Sequence, residues 1–380
     1  MNHVAEQLPR SGIREVMDAA WGRPEVIHLE VGEPDFATPE HVVDAAHRAV
    51  LAGATHYTPT AGVPDLRARL AARMARRDAR PVRPEQVVVT HGGVAGVYLA
   101  LQALTEPGDE ILLPDPAWPN FLMMAGLLRL RPRLYELRPE TGFLPTVADL
   151  ERVVTPATRL LLVNSPSNPL GTVVDAAGMA ELAAFAERHD LWLLSDECYD
   201  DLVFDGAAFT SPAALTPDRV VTVGSFSKTY AMTGWRVGYV TAPEPVATTV
   251  MKCVEPLLSC ANTPAQMAAM AALDGPQDIV TTMRASYQAR RDAAVELLRE
   301  LRQPVLVPAG AFYLWLDISA AGLPSREFAM RLLAEQAVAV APGTAFGGGD
   351  GYVRVSLATA HEPLLEGLRR LAAFASVPAA

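Results

Sequence analysis

The chain has 380 residues, half of them hydrophobic and 20% charged, which is long enough for more than one packed domain. Its 32 basic and 43 acidic residues leave a net charge of −11, which argues against a non-specific nucleic-acid binder and against docking on an anionic membrane surface. Cys198, Cys253 and Cys260 form neither a disulfide framework nor a metal-binding spacing, the opening MNHVAEQLPRSG lacks the features of a secretory leader, and no apolar run approaches the ~18 residues of a membrane span, so a reducing, cytoplasmic setting is expected.

In chain order, Thr38-Pro39 is a helix start, and that helix runs to about Gly53. Beyond it the spacing predicts strands over 86–90, 110–114, 158–163, 191–195, 220–224 and 236–240. Helices are predicted over 93–105, 118–128, 175–189 and 245–258. Most of the strands are solidly apolar, as in a largely parallel sheet covered on both faces, and the alternation indicates an α/β domain. From about Gln277 the pattern changes to an Arg-rich helix (278–301), the run VLVPAGAFYLWLDI, a helix from Ser325, short strands near Val338 and Tyr352, and a final helix from Glu362. The expected division is an N-terminal arm and part of a small domain (1–45), a large domain (46–276) and a small α+β domain (277–380).

Four features follow predicted strands, where ligands bind in open parallel sheets. VVVTHGGVAG (87–96) is a strand, a glycine pair and a helix; it reads either as a phosphate cradle at Gly92, Gly93 and Val94 or as an ordinary tight turn. NSPSNPLG (164–171) holds Asn164 and Asn168 between prolines, either aimed at a ligand or bonded within the turn. LWLLSDECYD (191–200) ends an apolar strand in Asp196, a carboxylate that is costly there without a partner, and Tyr199 follows it. Cys198 between them reads as a small apolar residue.

The fourth is GSFSKTYAMTGWRVGY (224–239). Only two of the 32 basic residues are lysines, Lys228 and Lys252. Arginine replaces lysine as a surface charge but not as a nucleophilic amine, so Lys228 is a candidate Schiff-base lysine. Ser225 and Ser227 offer hydroxyls, and Arg236 offers a rigid fork for phosphate. Together with Trp118 in PDPAWPNF, these groups describe a site for pyridoxal phosphate, whose ring nitrogen needs an acid and whose aldehyde needs an amine.

GEPDF (32–36), HYTPTAGVPDLR (56–67), NSPSNPLG, SDECY, SFSKTYAMTGWRVGY, PAGAFYLW (308–315) and YVRVSLA (352–358) occur in order from about Ser11 to the last helix. On these motifs the chain resembles the class I/II pyridoxal-phosphate aminotransferases of fold type I, the aspartate aminotransferase superfamily. The resemblance implies a large domain with a mostly parallel seven-stranded sheet between helices, plus a smaller α+β domain. It implies that Lys228 bonds the cofactor aldehyde and later carries the proton, and that Asp196 pairs with the ring nitrogen. Asn168 and Tyr199 would bond the ring 3-oxygen, and Trp118 would stack on the ring. Gly93, Val94, Ser225, Ser227 and Arg236 would hold the phosphate. Tyr57 would reach the phosphate of a neighbouring subunit, implying a homodimer with shared active sites. Arg354 would bind the substrate α-carboxylate with help from Gly32, and Trp118 and Asn168 would flank the substrate.

The implied activity moves an α-amino group from an L-amino acid to a 2-oxo acid in two alternating half-reactions. A β-eliminating lyase or synthase on the same fold is the alternative. Leu170 stands where the family usually has Thr, and Val94 and Ala95 where relatives are often more polar. No basic residue in the motifs waits for a second carboxylate, which points away from a dedicated aspartate enzyme. Met123, Met124 and Met232 form either an adaptable apolar pocket or core packing.

Overall fold

Seven short runs pair into one sheet in the computed structural model, which describes residues 3–6, 8 and 11–376. They are β1 (Val87–Thr90), β2 (Glu110–Asp115), β3 (Arg131–Glu136), β4 (Thr158–Asn164), β5 (Trp192–Asp196), β6 (Val220–Ser225) and β7 (Gly238–Thr241), in the spatial order β1-β7-β6-β5-β4-β2-β3. Only β7 runs antiparallel to its neighbours. Leu160–Val163, Leu193, Leu194 and Val220–Val223 are buried on both faces, so these strands read as unbroken apolar runs. The outermost residues of the expected terminal domains, 1–2 and 377–380, lie outside the described residues.

The register aligns one rim of this sheet. Asn164 pairs with Asp196, Asp196 with Val223, and Gly238 with both Thr90 and Ser225. The C-terminal ends of β1, β4, β5 and β6 therefore meet along one edge, as the loop motifs require. β7 starts at Gly238 because Arg236 takes a left-handed conformation (φ 53, ψ 53) that ends the preceding turn. The helix Gly92–Leu104 leaves β1 and packs beneath β6 and β7. The predicted 118–128 helix spans Asn120–Leu127, with Pro119 at its N-cap.

A second, antiparallel sheet orders β9 (Ala341–Pro342), β10 (Tyr352–Ser356) and β8 (Tyr313–Asp317) as β9-β10-β8. The helices Asp278–Glu300, Ser325–Gln336 and His361–Ala375 pack around β8 and β10 through Met283, Tyr287, Leu298, Phe328, Leu332, Leu364 and Leu368. Ile27–His28 pairs in parallel with Val338–Ala339, tying the N-terminal segment to this body. Met124 and Met232 are buried in two separate core clusters, which for these two favours core packing, while Met123 is half-buried and in neither cluster. Among the described residues no helix is long and apolar enough to cross a membrane.

Candidate active site

The rim gathers the groups that the motifs single out. Asp196 ends β5 and is buried, its Oδ1 accepting a bond from the Cys198 amide at 3.2 Å. Desolvation pushes its carboxyl up from the ordinary range against those bonds from Cys198. Lys228 lies in the short helix Phe226–Thr229 just past β6. Its Nζ donates to the Gly32 carbonyl at 2.5 Å and sits 5.8 Å from the centre of the Phe312 ring. Burial pulls this amine down to about 8, a value that leaves much of it neutral in mildly alkaline solution.

Next to the amine is a cradle built of small residues and one guanidinium. The helix after β1 starts at Gly92, so its free amide groups open at the rim. A Cβ on Gly92 would fall 2.6 Å from Arg236 Nη2, and one on Gly93 would fall 2.5 Å from Cys198 Sγ. Arg236 is braced by a 2.6 Å bond from Nη1 to the Thr233 carbonyl. Ser225 Oγ accepts the Ser227 amide at 3.1 Å, capping the Lys228 helix and fixing both serines at the same rim. Val94 and Ser225 are half-buried, and Ser227 is buried. His91 leaves Nδ1 buried without a partner, and desolvation and Arg236 lower its basicity.

Arg354, in β10, is 2% exposed. Its Nη1 donates to Asn168 Oδ1 at 2.9 Å and its Nη2 to the Glu30 carbonyl at 2.5 Å. Tyr313 and Phe346 flank the guanidinium, with ring centres 4.4 and 4.9 Å from Cζ. Nε stays buried and unpartnered, and desolvation lowers the pKa. The Asn168 amide accepts a bond from Arg354 through oxygen, which leaves its NH₂ donors free. The Tyr199 hydroxyl meets that of Tyr313 at 2.8 Å, and burial holds its pKa high, so it stays a neutral donor. Trp118 is half-buried and edge-on to Phe121 at 5.4 Å.

Tyr57 stands apart. It is 89% exposed and makes no hydrogen bond or ring contact with these groups among the described residues. Lys252 lies exposed on the helix Glu244–Leu258. Sequence reasoning missed Tyr313, Phe312 and Glu30. Tyr313 and Phe312 stand in the quoted PAGAFYLW motif, where clustered aromatics were the available signal. Glu30 is 1% exposed, with Oε1 2.9 Å from His28 Nδ1 and Oε2 unpartnered.

These residues fit pyridoxal phosphate on structural grounds. A buried carboxyl lacks a cation, a glycine turn faces an arginine fork with no room for a side chain, and a lone amine is desolvated between them.

Comparison with known proteins agrees. The model of the family "Aminotransferase class I and II" matches residues 24–371. An aspartate aminotransferase of Pyrococcus horikoshii is 37% identical over 368 residues, covering 96% of this chain and 94% of that protein. Aromatic-amino-acid aminotransferase 2 of Thermococcus litoralis is 38% identical over 375 residues, 96% of each chain. The solved structure of the aspartate aminotransferase from Thermus thermophilus with maleate superposes with a TM-score of 0.94 at 36% identity, covering 98% of this chain and 99% of that one.

Proposed function

The chain belongs to the class I and II aminotransferase family and is a pyridoxal-phosphate-dependent aminotransferase; from that premise we propose which of its residues run the reaction and which donors it takes. The observation that carries the assignment is the buried Lys228 amine, drawn down to about 8, on the same rim as Asp196 and the Gly92–Gly93 cradle.

When bound, the cofactor supplies an aldehyde that condenses with amines and a protonated ring that takes up the electron pair released with a proton. Asp196 offers that ring nitrogen an anion in a site where an unpaired carboxylate is costly. Tyr199 and the free Asn168 NH₂ would donate to the ring 3-oxygen, and Trp118 would cover the ring. Gly93 and Val94 amides, Ser225, Ser227 and Arg236 would hold the phosphate. Arg354 takes the donor α-carboxylate, with Gly32 beside it. Lys228 removes the α-proton, holds it at Nζ and returns it.

The preferred donors are neutral, aromatic ones included. A cavity of about 420 Å³ is lined by Met17, Trp21, His28, Glu30 and Val31, and the Glu30 backbone bonds Arg354. A second carboxylate reaching this cavity would meet Glu30, whose side chain is 1% exposed and pairs with His28 Nδ1 at 2.9 Å. Relatives are named for aspartate and for aromatic amino acids; this lining favours the second kind.

Tyr57, exposed beside the segment that opens the helix Pro64–Arg77, serves a second subunit in a homodimer with shared sites. The division into 1–45 with 277–380 and 46–276 is supported by the pairing of Ile27–His28 with Val338–Ala339. Free Cys198, Cys253 and Cys260 suit a cytoplasmic setting.

The test is the visible absorbance of the holoenzyme before and after neutral, aromatic and acidic amino acids, with Lys228→Ala and Glu30→Gln beside it. The expected result is a band lost fastest with a neutral donor, restored by an oxo acid, absent in Lys228→Ala, and more responsive to acidic donors in Glu30→Gln. Fastest conversion by aspartate, with Glu30→Gln unchanged, sinks the donor assignment.

A further inference from the structure

Behind Asp196 and Tyr199 lies a buried charge cluster that none of the roles above uses. The turn after β5 reads Asp196-Glu197-Cys198-Tyr199-Asp200-Asp201, and its side chains divide between two sides. Asp196 and Tyr199 belong to the site. Glu197, Asp200 and Asp201 meet two arginines on the helix Pro64–Arg77.

Arg77 is the hub. Its Nη1 hydrogen-bonds Asp200 Oδ2 at 3.0 Å and lies 2.7 Å from Glu197 Oε2, an ion pair without hydrogen-bond geometry. Its Nε and Nη2 hold the neighbouring Asp78 at 2.7 and 3.2 Å, and its Cζ lies 5.3 Å from the centre of the Phe209 ring. Arg73 Nη2 adds contacts to Asp201 at 2.6 Å and Asp200 at 3.4 Å. The Glu197 side chain is 1% exposed, and its other oxygen takes the Ser211 hydroxyl at 2.6 Å. Four carboxylates thus face two guanidiniums, and burial, opposed by Arg77 and Ser211 and aided by Asp78 and Asp200, pulls the Glu197 carboxyl up to about 7. A buried acid of this kind depends on its cation.

The turn has other ties as well: Asp196 pairs in the ladder with Asn164 and Val223, its carbonyl accepts the Ser165 amide at 3.3 Å, and the Tyr199 hydroxyl meets that of Tyr313. The Glu197 amide bonds the Val223 carbonyl, and the Asp200 and Leu202 amides close back onto Glu197 and Tyr199. The side-chain clamp is what joins this turn to a separate helix. A carboxylate facing a ring nitrogen and a hydroxyl facing a ring oxygen both lose value with small displacements.

We propose that Arg77 is a positioning residue for the cofactor site: by gripping Glu197 and Asp200 it fixes the turn that presents the Asp196 carboxylate and the Tyr199 hydroxyl. This inference rests on the cofactor roles assigned above to Asp196 and Tyr199.

The experiment titrates dialysed enzyme with pyridoxal phosphate at pH 8.5 and follows visible absorbance. It also records the pH midpoint of the bound cofactor's spectrum, and melting with and without cofactor. The variants are Arg77→Met, Arg77→Lys, Glu197→Gln and Asp196→Asn. Arg77→Met is expected to raise the cofactor dissociation constant at least tenfold and to move the spectral midpoint in the same direction as Asp196→Asn. Arg77→Lys recovers part of both, and Glu197→Gln shifts affinity at least threefold. A purely structural cluster behaves otherwise: Arg77→Met melts lower by the same amount with and without cofactor, while affinity and midpoint stay at wild-type values. That result overturns the proposal. If Arg77→Met does not fold, Glu197→Gln decides on the same readouts. Should Asp196→Asn itself leave affinity and midpoint unchanged, the underlying reading of Asp196 fails. Should it change them while the Arg77 and Glu197 variants do not, only the role of Arg77 fails.

Discussion

Gly93→Ala tests the phosphate cradle through a single atom pair. The added Cβ falls 2.5 Å from Cys198 Sγ, while Ser225 Cβ at 3.5 Å and Val223 Cγ1 at 3.7 Å are ordinary contacts. Gly93 is not among the glycines with positive φ, so its backbone accepts alanine, and helix propensity alone favours the change by up to about 1 kcal/mol. Overpacking against a buried sulfur costs about 1–3 kcal/mol. The net expectation is a loss of about 1–2 kcal/mol, with the cradle pushed off its position. Cys198→Ala alone costs about 1 kcal/mol. Because one sulfur causes the clash, the double variant is no worse than Cys198→Ala, a coupling of about 1–2 kcal/mol. Cofactor affinity and melting temperature read both effects. Gly93→Ala weakens the cofactor about tenfold, the equivalent of ~1.4 kcal/mol, and the double variant returns to within about threefold. Additive effects, within about 0.5 kcal/mol, refute the reasoning, as does a Gly93→Ala enzyme that binds cofactor normally.

Three further outcomes follow from the site. Since only a neutral amine attacks an aldehyde, uptake of pyridoxal phosphate by the cofactor-free enzyme rises with pH through about 8; a profile still climbing near the ordinary lysine value of 10.5 contradicts the burial of Lys228. The sign for stability follows: between about 8 and 10.5 the unfolded chain binds this proton and the folded chain does not, so this group makes the cofactor-free protein more stable as pH rises across that window, and Lys228→Met removes the dependence. Arg354→Lys keeps the charge but loses the fork, so kcat/KM for the amino donor falls about 10–100-fold, from charge-assisted bonds worth about 1.5–3 kcal/mol, while cofactor affinity stays within about threefold. Loss of cofactor affinity with kcat/KM intact places Arg354 elsewhere in the reaction.

What was legible in the chain follows burial. β4, β5 and β6 carry apolar cores (Leu160–Val163, Leu193–Leu194, Val220–Val221) covered on both faces, and they stand out in any reading of periodicity. β3 (RPRLYE) escaped because it is an edge strand with Tyr135 as its one buried residue, so arginines and a proline dominate it. The helix Thr263–Asp274 escaped for the opposite reason. Its buried residues are alanines and Gln266, so small side chains on several faces hide the amphipathic stripe. The Pro64–Arg77 helix did carry a stripe, Leu66, Leu70 and Met74, beneath a surface of arginines.

The site divides along the same physical line. Residues whose chemistry has no substitute were legible singly: one amine in a chain of arginines, one acid ending an apolar strand, one glycine pair before a helix. The distant partners that brace the site residues were not. Tyr199 meets Tyr313 across 114 positions, and Arg354 meets the Glu30 carbonyl across 324. A charge announces its sign in a sequence but not its counter-ion, so nothing in the sequence singles out Arg77, which the fold sets against Glu197. The parallel sheet converts the first class into a site by bringing four strand ends to one rim. Partners of the second kind brace that rim: the Glu30 carbonyl holds Arg354, and Arg77 faces Glu197 behind Asp196; on the proposals above, Glu30 selects among donors and Arg77 sets how firmly the cofactor is held.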